Sequence, residues 1–261
     1  MDTTMALLLL AAGFAGGIVT AIVGGASLIT FPALLAAGLP PVIAVASNAV
    51  ATTPASFVAA LTDRRWLPAW QPGFWRVIAV AMAGSGAGAL LLIFTPERAL
   101  MTLVPLLIGM ATMVFALAGR IRAWIFRHAA DPAVHSARAD RLGLALLAPT
   151  AVYAGYFGAG AGVMLLAILS LGHDRDFRAA NVLKNLLGGV TSLVAVLVFV
   201  VSGSVAWPHT SVMMAGALAG GYAGARLGRV VPEAFLRVVV IVIGCIVTAV
   251  YAQRYWSLPA P

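Results

Sequence analysis

Val23-Gly24-Gly25-Ala26-Ser27 and Gly158-Ala159-Gly160-Ala161-Gly162 are the two short runs that decide how this chain folds. Each interrupts an apolar stretch, residues 5–37 and 142–172, that is too long for one membrane crossing. A helix needs about 20 residues to cross a hydrocarbon core of ~30 Å. Each stretch therefore reads as a broken helix, either a re-entrant hairpin or two short paired segments. Gly158 follows Gly24 by 158 − 24 = 134 residues, close to half of the 261-residue chain. The flanks match as well: Gly38 then Pro40-Pro41 after the first break, Gly172 then His173-Asp174 after the second. Self-similarity at this period reads as an internal duplication and makes a two-repeat transporter architecture the leading expectation.

Outward from the breaks lie six uninterrupted apolar stretches of spanning length, at 42–61, 77–94, 99–118, 179–201, 210–228 and 234–251. The composition agrees, with 62% hydrophobic and only 9% charged residues, where soluble domains carry about 25% charged. A soluble globular fold is excluded. The expectation is an all-α polytopic membrane protein of two inverted repeats, each a broken helix followed by three transmembrane helices. Residues 1–118 form the first repeat, 119–141 a cytoplasmic linker and 142–261 the second repeat. The Met5–Val23 run lacks the basic segment of a signal peptide and is read as mature protein.

Charge sets the orientation. The net charge of +8 comes from arginines placed between apolar runs, which points to anchoring at the inner leaflet of a bilayer and away from nucleic acid. If each broken region enters and leaves on one side, thirteen arginines from Arg64 to Arg237 share a face and only Arg98 and Arg254 lie opposite. If each crosses once, the division is nine to six, a poor fit to the positive-inside rule. The same-side arrangement leaves an odd number of spans per half, which inverts the second repeat and puts both termini in the periplasm.

Lys184 is the one ionisable residue well inside an apolar span, and all eight acids fall in loops or at span ends. Its charge is costly there unless something answers it. Asn181 and Asn185 flank it, with Thr191 two turns on, so the arrangement reads as a site whose missing partner is an anion. The alternative is a lysine that extends along its four-carbon stem to the headgroups. The glycine runs add an independent reason: a helix restarting after a break offers unpaired N–H groups and about half a positive charge. Gly24, Gly25 and Ser27 in one half and Gly158, Gly160 and Gly162 in the other would let backbone approach a ligand closely. Ser47 and Asn48 are the first half's counterpart to the Lys184 neighbourhood and complete the candidate substrate-binding set.

Other residue types point to ordinary roles. The glycines of 84–88 and Gly216, Gly220, Gly224 and Gly228 suit close helix packing. Pro32, Pro54 and Pro105 are expected to kink helices. The six tryptophans sit near span ends as interfacial belts. His128, His135, His173 and His209 are read as loop residues without an i, i+4 partner, and the single Cys245 excludes a disulfide framework, so neither a metal nor another cofactor is expected. With no nucleophile–base pair, P-loop or dinucleotide fingerprint in the spans, an enzyme is not expected.

The motifs resemble a known family. Gly13-Phe14-Ala15-Gly16-Gly17, Val23 to Leu34, Gly38-Leu39-Pro40 and Ala46-Ser47-Asn48 are similar to the first repeat of the TauE/SafE sulfite exporter family. Gly155 to Gly162, Ala180 and Leu183-Lys184-Asn185-Leu186 are similar to its second repeat. Ala26 and Ser27 stand where the family often continues its glycine run, and Ser47 where threonine is usual. The resemblance implies a bacterial inner-membrane secondary transporter, commonly an exporter, of small sulfur-containing or related organic anions such as sulfite, sulfonates or sulfoacetate. Its partners would be a small anionic substrate and the lipid bilayer. Coupling to a proton, and the choice between monomer and homodimer, stay open at this point, as does a channel in place of a carrier.

Overall fold

Where no water can satisfy a peptide group, an apolar chain must close its own hydrogen bonds, and this one does so entirely as helix. The computed structural model describes residues 1–67, 73–128, 137–169, 177–228, 230 and 232–256. Within them run α1 (Thr3–Ile22), α2 (Ser27–Ala36), α3 (Pro41–Thr62), α4 (Phe74–Phe94) and α5 (Glu97–His128). The second half repeats the order with α6 (Ala137–Tyr156), α7 (Ala161–Leu169), α8 (Phe177–Val201), α9 (Trp207–Leu227) and α10 (Glu233–Trp256). No strand occurs among the described residues, so the all-α membrane class holds.

Both breaks fall at the glycine runs, and both are built the same way. The Val23 and Gly24 amides bond to the Val19 carbonyl, and Gly24 turns left-handed at φ 80°. In the second half the Phe157 and Gly158 amides bond to the Tyr153 carbonyl, and Gly158 has φ 75°. A left-handed glycine here ends a helix without the steric penalty a Cβ would bring.

Several element boundaries differ from the sequence reading. α1 alone has 20 residues, about 30 Å of helix, and α2 only 10, so the first broken region is one full-length helix followed by a half-length one. Among the described residues, six helices are long and apolar enough to cross a membrane: α1, α3, α4, α5 through Leu117, α8 and α10. α9, expected as a plain span, is 21 residues long but is not among them, because glycines, His209, Ser211 and Arg226 dilute its apolar content. α5 continues to His128 and α6 opens at Ala137, so most of the stretch read as a linker is helix. His128 and His209 accordingly lie in helices; His135, His173 and Trp70 lie outside the described residues.

The two halves exchange helices. α1 lies on α9, and α6 on α4. Glycine makes both contacts: a Cβ at Gly17 would stand 2.3 Å from the Ala217 carbonyl, one at Gly220 2.0 Å from that of Phe14, and one at Gly88 2.0 Å from that of Val152. Gly13 meets Met213 while Gly17 meets Gly221, so α1 and α9 run parallel. Ser47 meets Ala206 and Gly221 meets Ala55, so α3 runs parallel to them too. α1 and α3 therefore start on one side of the bundle. α8 runs against α3, with Gly189 at Phe57 and the Arg178 guanidinium 5.5 Å from the centre of the Trp66 ring. α10 likewise runs against α5, with Gly244 at Thr112 and the Trp256 indole donating to the Thr102 carbonyl. Leu7, Leu91, Leu106, Val242 and Ile246 cover the outside, an apolar surface suited to lipid, and Trp75, Trp207 and Trp256 are exposed near helix ends.

Replacing Gly220 with Leu is expected to destabilise the protein by at least about 1–3 kcal/mol, since backbone cannot retreat from the new side chain as a rotamer can. Gly143→Ala, with nothing within 4 Å, is expected to be neutral. Thermal melting of both variants in detergent checks the contrast.

Candidate functional site

A helix that ends inside a protein leaves its last carbonyls without amide partners, and the site begins with how α8 answers them. At the end of α1, Lys184 Nζ donates to the Thr20 carbonyl at 3.2 Å. Asn181 Nδ2 and Asn185 Nδ2 both donate to the Ala21 carbonyl, at 2.9 and 3.1 Å. Positions i, i+3 and i+4 share one helix face, which is why one turn of α8 supplies all three donors. The ammonium, 2% exposed, stands at the negative end of the α1 dipole. This amends the expectation of an unanswered lysine: its charge already has a carbonyl and a helix terminus facing it. The ammonium stands beside Gly24.

Gly24 brings the second half in. A Cβ there would stand 3.1 Å from Gly162 Cα and 3.2 Å from Lys184 Nζ, and one at Gly162 would be 3.0 Å from Gly24 Cα. The two breaks touch backbone to backbone beside the ammonium. α5 backs both: Phe115 fills the space a Gly25 side chain would need, and Ala111 lies behind Gly160. Phe31 of α2 meets Phe157 of the second break edge to face at 5.2 Å, and Tyr153 donates to the Ala159 carbonyl at 2.7 Å.

Among the described residues, the amides of Gly25, Ala26 and Ser27 find no carbonyl acceptor, nor do those of Ala159, Gly160 and Gly162. They are the orphan donors at the starts of α2 and α7. Between the breaks lies a cavity of about 120 Å³, walled by both helix starts and by faces of α3, α6 and α8. It is large enough for several waters or a small anion, since one water needs ~10–15 Å³ on this measure.

Of the residues proposed from sequence, Gly24, Gly25, Ser27, Asn48, Gly158, Gly162, Lys184 and Asn185 line this cavity. Three do not. Ser47 Oγ accepts from the Ala206 amide at 3.0 Å and ties α3 to the start of α9. Asn181 lines a separate cavity of about 90 Å³ with Asp63, Trp66 and Arg178. Gly160, at φ 78°, serves the turn against Ala111. Asn48 lies in the wall but is spent on structure: Nδ2 donates to Ser27 Oγ at 2.9 Å and Oδ1 accepts from Thr30. In that bond Ser27 Oγ accepts, which leaves its own proton free to donate.

The sequence reading missed Thr20, Ser56, Thr150 and Ser192 in the wall and did not count Thr52, Thr53 and Thr191 as site residues. The signal was present as helical spacing: Asn48, Thr52 and Ser56 repeat at four residues on α3, and Lys184, Gly188 and Ser192 on α8. Among the described residues, no group of three or more His, Cys, Asp or Glu side chains could hold a metal ion.

A buried cation and two sets of unpaired amides around one cavity, in a bundle of spanning helices, define a polytopic membrane protein with a polar internal site. Comparison with known proteins carries this further. The family model for the sulfite exporter TauE/SafE matches residues 9–251, and the chain belongs to that family of membrane transporters. It is similar to a probable membrane transporter protein of Haemophilus influenzae, 27% identical over 98% of this chain and 99% of the relative. It is also similar to the probable membrane transporter protein YfcA of Escherichia coli K12, 27% identical over 89% of this chain and 84% of the relative. No solved structure matches it.

Because Ala21 O has two donors, losing either is expected to cost about 1 kcal/mol, whereas Asn181→Leu with Asn185→Leu orphans the carbonyl and should cost more than the sum. Thermal melts of the two single variants and the double variant measure that coupling.

Proposed function

We propose that the chain is a secondary transporter, working as an exporter, of small sulfur-containing or organic anions of the sulfite, sulfonate and sulfoacetate class. The observation that carries this reading is the meeting of both helix breaks and Lys184 at one cavity. Among the described residues, the amides of Gly25, Ala26, Ser27 and Gly162 and an ammonium give the wall donors and positive charge, and no Asp or Glu lines it. Such a wall suits oxyanions. The family's printed description, a sulfite exporter, supports the same class.

The halves act as inverted repeats that rock about the site and open it to each side in turn. Supporting this are the opposed directions of α3 and α8 and of α5 and α10, and the parallel course of α1 and α3. The arginine-rich side faces the cytoplasm of a bacterial inner membrane and both termini face the periplasm, by the positive-inside rule. A potential of about 100 mV, negative inside, then favours expelling each negative charge by ~2.3 kcal/mol without ATP. With no carboxylate in the cavity wall, a coupled proton travels on the substrate or through Lys184.

Lys184→Met is expected to abolish sulfite and sulfonate flux in proteoliposomes while the purified variant keeps a folded elution profile and melts only modestly lower, by about 1 kcal/mol, for the lost bond to the Thr20 carbonyl. Undiminished flux contradicts the role of Lys184, and flux without counterflow exchange points to a channel. Orientation is checked separately in a Cys245→Ser background: a cysteine at Arg120 should react with membrane-impermeant maleimide only in inverted vesicles.

A further inference from the structure

The cavity wall is divided by hydrogen-bond polarity. Its fixed donors are Lys184 and the amides of Gly25, Ala26, Ser27 and Gly162, while the hydroxyls of Thr20, Ser27, Ser56 and Ser192 can turn to give or accept. The other side is different. Thr52, Thr53, Thr150 and Thr191 all line the cavity, and each gives its only hydroxyl proton to the carbonyl four residues earlier in its own helix, at 2.6 to 2.8 Å. A hydroxyl bound this way has only lone pairs left to offer. Three helices thus contribute acceptors that a bare oxyanion cannot satisfy and would be repelled by.

Accepting the anion-transport reading above, we infer that the guest carries its own hydrogen-bond donor: a monoanion whose charged oxygens face Lys184 and the break amides while an O–H or N–H faces the threonines. Two chemistries meet this requirement. One is an oxyanion protonated on its head group; the other is a short organic anion with a hydroxyl or ammonium on its tail. The size of the wall allows either. Thr191 follows Lys184 by seven residues on α8, about 10 Å of helix, and Thr52 follows Asn48 by one turn on α3. A dianion with no hydrogen, such as sulfate, leaves the acceptor side unpaired and is rejected. So is a methyl-ended sulfonate of the same size. The asymmetry follows from the cost of burying unpaired polar groups, which makes sites built for a hydroxyl discriminate far better than apolar pockets do.

The test is equilibrium binding to the full chain purified in detergent, with two probe pairs at one pH near 6. Sulfate against inorganic phosphate, there mainly the dihydrogen monoanion, examines a proton on the head. Propane-1-sulfonate against 2-hydroxyethanesulfonate examines a donor on the tail. At least a tenfold preference for the donor-bearing member of either pair supports the inference, and the pair showing it says where the donor sits. Thr53→Val and Thr191→Val, which keep side-chain shape, should bring that ratio toward one while weak binding of the donor-free probe persists; Thr191→Ser should restore it. Binding of all probes without preference overturns the inference and leaves the anion site standing, as does a preference undiminished in both valine variants. Lys184→Met should lose every probe. If the wild-type chain binds none of them, both the anion site and the inference fall.

Discussion

Everything in this molecule follows from helices that stop where no water is available to finish them. α1 ends with the Thr20 and Ala21 carbonyls exposed, and one turn of α8 covers them with an ammonium and two amides. Without that covering the break would be too costly to keep, because an unpaired buried carbonyl forfeits much of what a helix gains. With it, the chain can afford to leave the other kind of orphan, the amides at the starts of α2 and α7, turned toward a cavity. The same residues that stabilise the break therefore deliver a positive charge to the place where the amides converge.

This coupling of support and site explains why glycine is placed as it is. At Gly24 and Gly162 the two halves touch main chain to main chain beside Lys184, and any side chain would separate them. Along α1, α4, α6 and α9, glycine serves a different purpose, letting each half grip a helix of the other so closely that carbonyls occupy the space of missing side chains. The exchange of α4 and α9 between halves means that neither repeat packs alone.

The breaks were legible because glycine runs in apolar sequence have few other uses, and Lys184 because a charge so far from any loop stands out. The fates of Ser47 and Asn181 were not legible. Both are polar residues in the right neighbourhood, and only the packing of α9 on α3, and of α8 on α1, shows that Ser47 secures an amide and Asn181 a carbonyl outside the cavity. Thr52 could be read from its four-residue spacing with Asn48 and Ser56, but Thr53, Thr150 and Thr191 fall outside such a repeat, and because threonine inside an apolar helix ordinarily satisfies itself on its own backbone, as these do, they stand out as lining only once the cavity is seen. α9, read from sequence as a span over 210–228, is a 21-residue helix whose glycines receive α1.

The most direct measurement is crystallographic: crystals grown, at a pH where it carries a proton, with selenite, whose selenium scatters anomalously, locate a bound oxyanion without assumption. The account requires an anomalous peak in the cavity within hydrogen-bond reach of Lys184 Nζ and of the Gly25–Ser27 or Gly162 amides. A peak only at surface arginines, with Lys184 turned from the cavity, contradicts it.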